Sequence, residues 1–221
     1  MTPEEFREKA KDEEWAPGWD EIEAGFKEVY GDQNPEHYGT VITSRAIFGG
    51  NEYLDGYSIY TSPKGYSHIV TFGMSELYAV EESLGKEYSK WGYEMTMKLK
   101  NEAPNECIWA ANMLGNLARY TFKSDRWFEP NQYVGSANDP QSLNLDRPEC
   151  QITALVVVND TEVKTRQTIY GELAFLQLVG ITTEEFRKIV EDKSLVPVLL
   201  ERLRADYPDL ETDMDRTRNY L

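Results

Sequence analysis

Apolar and polar positions change period several times along the 221-residue chain, and each change marks an element. In "GWDEIEAGFKEVYG" (18–31), Ile22, Phe26, Val29 and Tyr30 recur at helical spacing; Asp20 offers a cap and Gly31 a stop. A turn-rich loop follows at 32–39, and then "TVITSRAIFGG" (40–50) is β-branched and reads as a strand. "DGYSIYTSPKGYSHIVTFG" (55–73) reads as two strands about the turn Ser62-Pro63-Lys64-Gly65. "GYEMTMKLK" (92–100) alternates, with Tyr93, Met95, Met97 and Leu99 on one face and Glu94, Thr96, Lys98 and Lys100 on the other.

The helical period returns in "NECIWAANMLGNLARYTFKS" (105–124), through Ile108, Ala111, Leu114, Ala118 and Phe122, with Asn105 as a plausible cap. Residues 129–150 are polar and rich in Asn, Asp and Pro, as a long loop is. "QITALVVVND" (151–160) and "ELAFLQLVG" (172–180) are apolar runs of strand length that suit central strands, joined by the more polar "TEVKTRQTIYG" as an edge hairpin. "TTEEFRKIVEDK" (182–193) opens with a Thr cap and acids in its first turn, and "SLVPVLLERLRADYP" (194–208) forms a second helix with Pro197 near its start. The tail "DLETDMDRTRNYL" has no strong period. Strand runs and helix runs are segregated, so the pattern predicts a single α+β domain with a mixed, mainly antiparallel sheet packed by helices.

Charge refines this picture. The chain carries 39 acids against 23 bases, a net charge of −16. Such a surface repels phosphate backbones, which disfavours nucleic acid as a partner, and it speeds encounter with a basic one. No run approaches the ~20 apolar residues of a membrane span. Residues 1–17 form an acidic segment unlike a secretory leader, and a cytoplasmic protein is expected.

Candidate chemistry is sparse. Two cysteines (Cys107, Cys150) and two histidines (His37, His68) lack the paired spacing of a zinc site, so neither metal nor cofactor is expected. "GMSEL" (73–77) begins like a nucleophile elbow, but Leu77 stands where the second Gly is required, and His68 precedes the serine. A hydrogen-bonded strand histidine accounts for His68 better than a catalytic base, and no catalytic residue is assigned. "DLETDMDR" places acids at alternating positions but lacks the glycine of a calcium loop; a solvated or partner-facing tail is the simpler expectation. Five Trp and fourteen Tyr provide anchors for core or interface.

Five ordered blocks, "HIVTFGMSELY", "WGYEMTMKLK", "LGNLARYTF", "FLQLVGITTEEF" and "ETDMDR", with a weaker "YGDQNPEHY" before them, resemble the suppressor of fused family over about residues 30–216. The resemblance implies one non-enzymatic, protein-binding α+β domain spanning 1–221 and corresponding to the N-terminal domain of two-domain animal relatives. Those relatives clamp an extended peptide of a transcription factor, using the Tyr of the "LARY" block, here Tyr120. They also use an Asp in a stretch similar to "FEPNQYV", where this chain has Gln132. Stand-alone members resemble bacterial proteins inferred to act as immunity proteins, which implies a protein or peptide partner such as a basic toxin domain. The alternative is a general peptide-binding or scaffold protein that uses an exposed sheet edge. The resemblance thus places Tyr120 and the Gln132 position on the partner surface; Phe122, Trp127 and Phe128 lie near them in sequence and are expected to join it, with Asp125 and Glu129 as steering charges.

Overall fold

The computed structural model describes residues 1–39 and 54–221; the strand expected at 40–48 lies outside them. Eight strands among the described residues form one open sheet: β1 (Glu36–Gly39), β2 (Gly56–Ser62), β3 (Tyr66–Phe72), β4 (Tyr88–Lys100), β5 (Tyr133–Val134), β6 (Ile152–Asn159), β7 (Arg166–Thr168) and β8 (Gly171–Thr182). The order across the sheet is β1-β2-β3-β4-β8-β6-β5, with β7 added to β8. All these pairings are antiparallel except β4 with β8. The domain is therefore α+β with a mixed, mainly antiparallel sheet.

The β2–β3 hairpin turns through Ser62–Gly65 as the turn residues require, with Gly65 at φ 89° and its amide donating to the Ser62 carbonyl. β8 is central, between β4 and β6. Residues 129–150 are loop apart from the two-residue β5.

Helices cover both faces of the sheet. α3 (Ile108–Ser124) lays Ala111, Leu114 and Ala118 on one face, against Ile69, Met95, Met97, Leu99 and Leu178. On the other face α2 (Pro17–Tyr30) packs Ile22 and Phe26 against Tyr60, Val70, Phe72 and Phe175. α4 (Thr183–Glu191) and α5 (Leu195–Asp206) cover Ala154, Val156, Val179 and Ile181 on that same side. A short α1 (Pro3–Lys9) buries Phe6. Because both faces are covered, the polar half of β4 is buried too: Glu94, Thr96 and Lys98 are each 0% exposed.

Two helix starts differ from expectation. α2 begins at Pro17 after Ala16, which makes no side-chain cap, and Asp20 lies inside its first turn. Proline presets the helical φ at that position and needs no capped amide, so the start needs no Asp. α3 begins at Ile108 after Cys107, while Asn105 belongs to a preceding 3-10 turn at Pro104–Glu106. Gly31 ends α2 at φ 64° and Thr182 caps α4 in a reciprocal box with Glu185, both as the sequence predicts.

The tail also departs from expectation. Far from being solvated, Leu210, Thr212, Met214 and Arg216 are buried, and Thr212 pairs in parallel with Leu99. Arg216 donates to both carboxylate oxygens of Glu185, at 2.7 and 3.0 Å, and the Tyr220 amide donates to the same group at 3.0 Å. The Glu185 carboxylate thus completes the cap of α4 and anchors the tail.

Candidate functional site

The serine and histidine of "HIVTFGMSELY" are locked into the scaffold. Ser75 is 1% exposed, and its hydroxyl donates to Glu94 at 2.6 Å. The amides of Gly73, Met74 and Ser75 and the Thr71 hydroxyl also donate to that buried carboxylate, so the loop wraps around Glu94. Burial pushes the Glu94 carboxyl above its ordinary range, opposed by the hydrogen bonds from Ser75, Thr71 and Gly73. The loop is also pinned from outside: the Gly18 amide donates to the Leu77 carbonyl at 3.0 Å, and a Cβ at Gly18 would fall 1.7 Å from the Glu76 carbonyl oxygen. Only glycine permits this approach.

His68 belongs to a second buried polar group. Its Nε2 donates to Asp160 at 2.9 Å, and Tyr30 Oη lies 2.8 Å from its Nδ1. Lys98, wholly buried, lies 3.4 Å from Asp160 and 3.1 Å from Glu162, and Tyr66 donates to Glu162 at 2.5 Å. Burial acts to raise the Asp160 carboxyl, but the charge and hydrogen bond of His68 and the charge of Lys98 outweigh it and hold the group far below its ordinary value. Ser75 and His68 serve separate networks, with no nucleophile–base contact between them. Among the described residues, no three His, Cys, Asp or Glu side chains are grouped as metal ligands.

Six of the seven residues assigned to the partner surface come together, and Phe122 does not. Tyr120, Asp125, Trp127, Phe128, Glu129 and Gln132 line one groove of about 730 Å³ between the C-terminal end of α3 and the short edge strand β5. Local geometry explains the convergence. Asp125 ends α3 in the left-handed region (φ 58°), which turns the chain back across the helix end. Phe128 then inserts as a buried anchor; its amide donates to Tyr93 Oη at 3.4 Å, and its ring lies 6.1 Å from Tyr120. Beyond it the chain joins the sheet: the Asn131 amide donates to the Val157 carbonyl at 2.8 Å, and the Val157 amide donates to Gln132 at 2.9 Å.

The aromatic residues divide by exposure. Tyr120 is 47% and Trp127 56% exposed, whereas Phe128 is 7% exposed. Phe122 is half-buried against Trp91, with ring centroids 5.8 Å apart, and lies outside the groove. The groove also contains Leu117, Arg126, Tyr133, Val134 and Gly135, which the sequence reading did not assign. Nothing local in the sequence marks Gly135, yet a Cβ there would meet Ala154 at 2.6 Å, so it lets the edge strand lie against β6. β5 pairs with β6 on one side and with no other strand among the described residues.

The fold and the site together define an α+β domain with an aromatic groove at a sheet edge that no other described strand covers. The family model for suppressor of fused protein (SUFU) matches residues 50–217, and this chain belongs to that family. It is 33% identical over 208 residues to the suppressor of fused homolog of Homo sapiens, covering 86% of this chain and 41% of that protein. It therefore spans about two fifths of the length of the curated relatives it matches. A chain of the Sufu–Fu complex crystal structure superposes with a TM-score of 0.78 at 25% identity over 93% of each chain. Suppressor of fused from Drosophila gives 0.77 at 25% identity, over 93% of this chain and 51% of the other. A Neisseria gonorrhoeae homolog shares the fold, with a TM-score of 0.59 at 13% identity over 92% and 97% of the two chains.

Proposed function

We propose that this chain is a protein-binding domain that takes an extended segment of a partner in the groove between α3 and β5. The observation that carries this reading is the juxtaposition of two exposed rings, Tyr120 and Trp127, with the open edge of β5. An extended peptide adds to such an edge through main-chain hydrogen bonds, and aromatic side chains beside it provide the apolar contacts. Membership of a family with a relative crystallised in the Sufu–Fu complex supports a protein as the ligand.

Within that reading, the partner is a basic protein and the role is immunity against a toxin domain. The support is electrostatic and by resemblance. Asp125 and Glu129 flank the rings, and the chain as a whole carries −16. A charge field of that sign speeds encounter with a cationic surface. Gln132 leaves this groove with one acid fewer than the resemblance would provide, so recognition rests more on the rings and the main chain. A hydrolytic reading through Ser75 has nothing to support it, because that hydroxyl is buried and donates to Glu94.

The test is to capture partners with the wild-type chain and then measure binding of Tyr120→Ala and Trp127→Ala. Both should melt near the wild-type temperature and bind at least about tenfold more weakly, as truncated hot-spot rings do. Normal binding by both folded variants would place the interface elsewhere. Capture of a partner toxin, followed by loss of its toxicity in a mixing assay, would establish the immunity role.

A further inference from the structure

A second pocket, of about 680 Å³, lies apart from the aromatic groove, where the 140–151 loop faces the start of α4. This volume is within the range of pockets that hold small ligands or chain ends. Its walls are fixed: the Leu143 amide donates to the Ile152 carbonyl at 2.9 Å, and Cys150 Sγ donates to the Met214 carbonyl at 2.8 Å. Thr153 and Thr183, on facing elements, share a hydroxyl hydrogen bond of 2.7 Å.

Two observations give the pocket a ligand chemistry. Ser142, on its wall, is 7% exposed, and its Oγ is buried without a hydrogen-bond partner. A buried hydroxyl left in that state costs free energy unless something reaches it. Independently, the N-terminus of α4 faces the same space. The capping box takes the amides of Thr182 and Glu185, which leaves those of Thr183 and Glu184 outside it. One turn along, Arg187 lines the pocket and makes no ion pair or hydrogen bond with any described residue.

A helix N-terminus, a free guanidinium and a hydroxyl donor together suit a carboxylate. The lining carboxylate of Glu184 disfavours a polyanion such as a di- or triphosphate. Apolar surface lies alongside: Leu145 is 73% exposed, and Pro140 and Pro148 also line the pocket. We infer that this pocket captures the C-terminal carboxylate of a peptide whose last side chain is apolar. Arg187 and the first turn of α4 take the carboxylate, Ser142 turns its buried hydroxyl about χ1 to donate one further hydrogen bond, and Leu145 and the two prolines take the side chain. The site is independent of the aromatic groove.

The test is an NMR titration of the full chain with acetyl-Gly-Gly-Leu as the free acid, its C-terminal amide, and free leucine. The free acid should shift the amides of Thr183 and Glu184 saturably. Arg187→Gln should weaken it at least about tenfold, the loss of a charge-assisted pair. Ser142→Ala should also weaken it without lowering the melting temperature, since it removes an unpaired polar group. Trp127→Ala should leave this binding unchanged. No saturable shift at millimolar peptide would show a pocket filled by water alone and overturn the proposal. So would equal binding of the amide, equal binding of leucine, or indifference to Arg187→Gln.

Discussion

At the scale of single residues, buried polar groups carry information that the hydrophobic pattern hides. Glu94 receives five hydrogen bonds, three of them from backbone amides of one short loop. Glu94→Gln keeps the shape but turns an amide N–H₂ toward donors. Leaving one or two buried donors unpaired should destabilise the fold by about 2–4 kcal/mol, measured by urea unfolding. Lys98 poses the opposite case, a buried cation serving two carboxylates. Lys98→Met leaves Asp160 and Glu162 in the interior without it and should cost about 3–5 kcal/mol. A loss of under about 1 kcal/mol would mean that water reaches the pair.

At the scale of elements, α4 shows how one junction can serve several parts of the fold. Thr182 ends β8, caps α4 and donates to Asn219 of the tail at 2.5 Å. Thr182→Ala should therefore cost more than the ~1 kcal/mol typical of a lost cap. Hydrogen exchange should show faster opening in both α4 and the tail; an effect confined to the first turn of α4 would separate the two. The groove between α3 and β5 is likewise a property of element ends. The left-handed turn at Asp125 and the two-residue β5 place it there, and the loss of binding expected for Tyr120→Ala and Trp127→Ala belongs to this junction.

At the scale of the whole molecule, acid and salt are the relevant variables. Burial acts to raise the Glu162 carboxyl, but hydrogen bonds from Lys64 and Tyr66 and the charge of Lys98 outweigh it and hold the group at about 2, against an ordinary value of 4.5. Asp160 is displaced in the same direction. A carboxyl that binds its proton less tightly when folded contributes stability that is fully present above its unfolded value and lost as pH falls through its folded one. Stability should therefore hold above about pH 4.5 and fall progressively toward pH 2. In Glu162→Gln that part of the decline should shrink, as urea midpoints at each pH would register. If the partner is basic, its association rate should drop by about tenfold or more between low and physiological salt, with little change in dissociation. A salt-independent association rate would remove the electrostatic argument for a basic partner.

Much of the architecture was legible in the chain because period and punctuation are local properties. The hairpin about Ser62–Gly65, the alternation through Tyr93–Leu99, the helical face of Ile108–Phe122 and the Thr182 cap all follow from neighbours within a few residues. The ordered blocks point to the family, and with it to Tyr120 and the Gln132 position; Asp125, Trp127, Phe128 and Glu129 line the same groove as their near neighbours in sequence. The starts of α2 and α3 were misplaced because Asp20 and Asn105 have capping chemistry, while a proline and a 3-10 turn set the actual boundaries. What only tertiary structure decided depends on residues distant in sequence. "DLETDMDR" carries the charge of a solvated tail, yet its alternate residues Leu210, Thr212, Met214 and Arg216 are buried, because Thr212 finds Leu99 and Arg216 finds Glu185. The exposure of Tyr120 beside the burial of Phe128 was also beyond local reading, since side-chain type is fixed by sequence but solvent access is fixed by what packs above it.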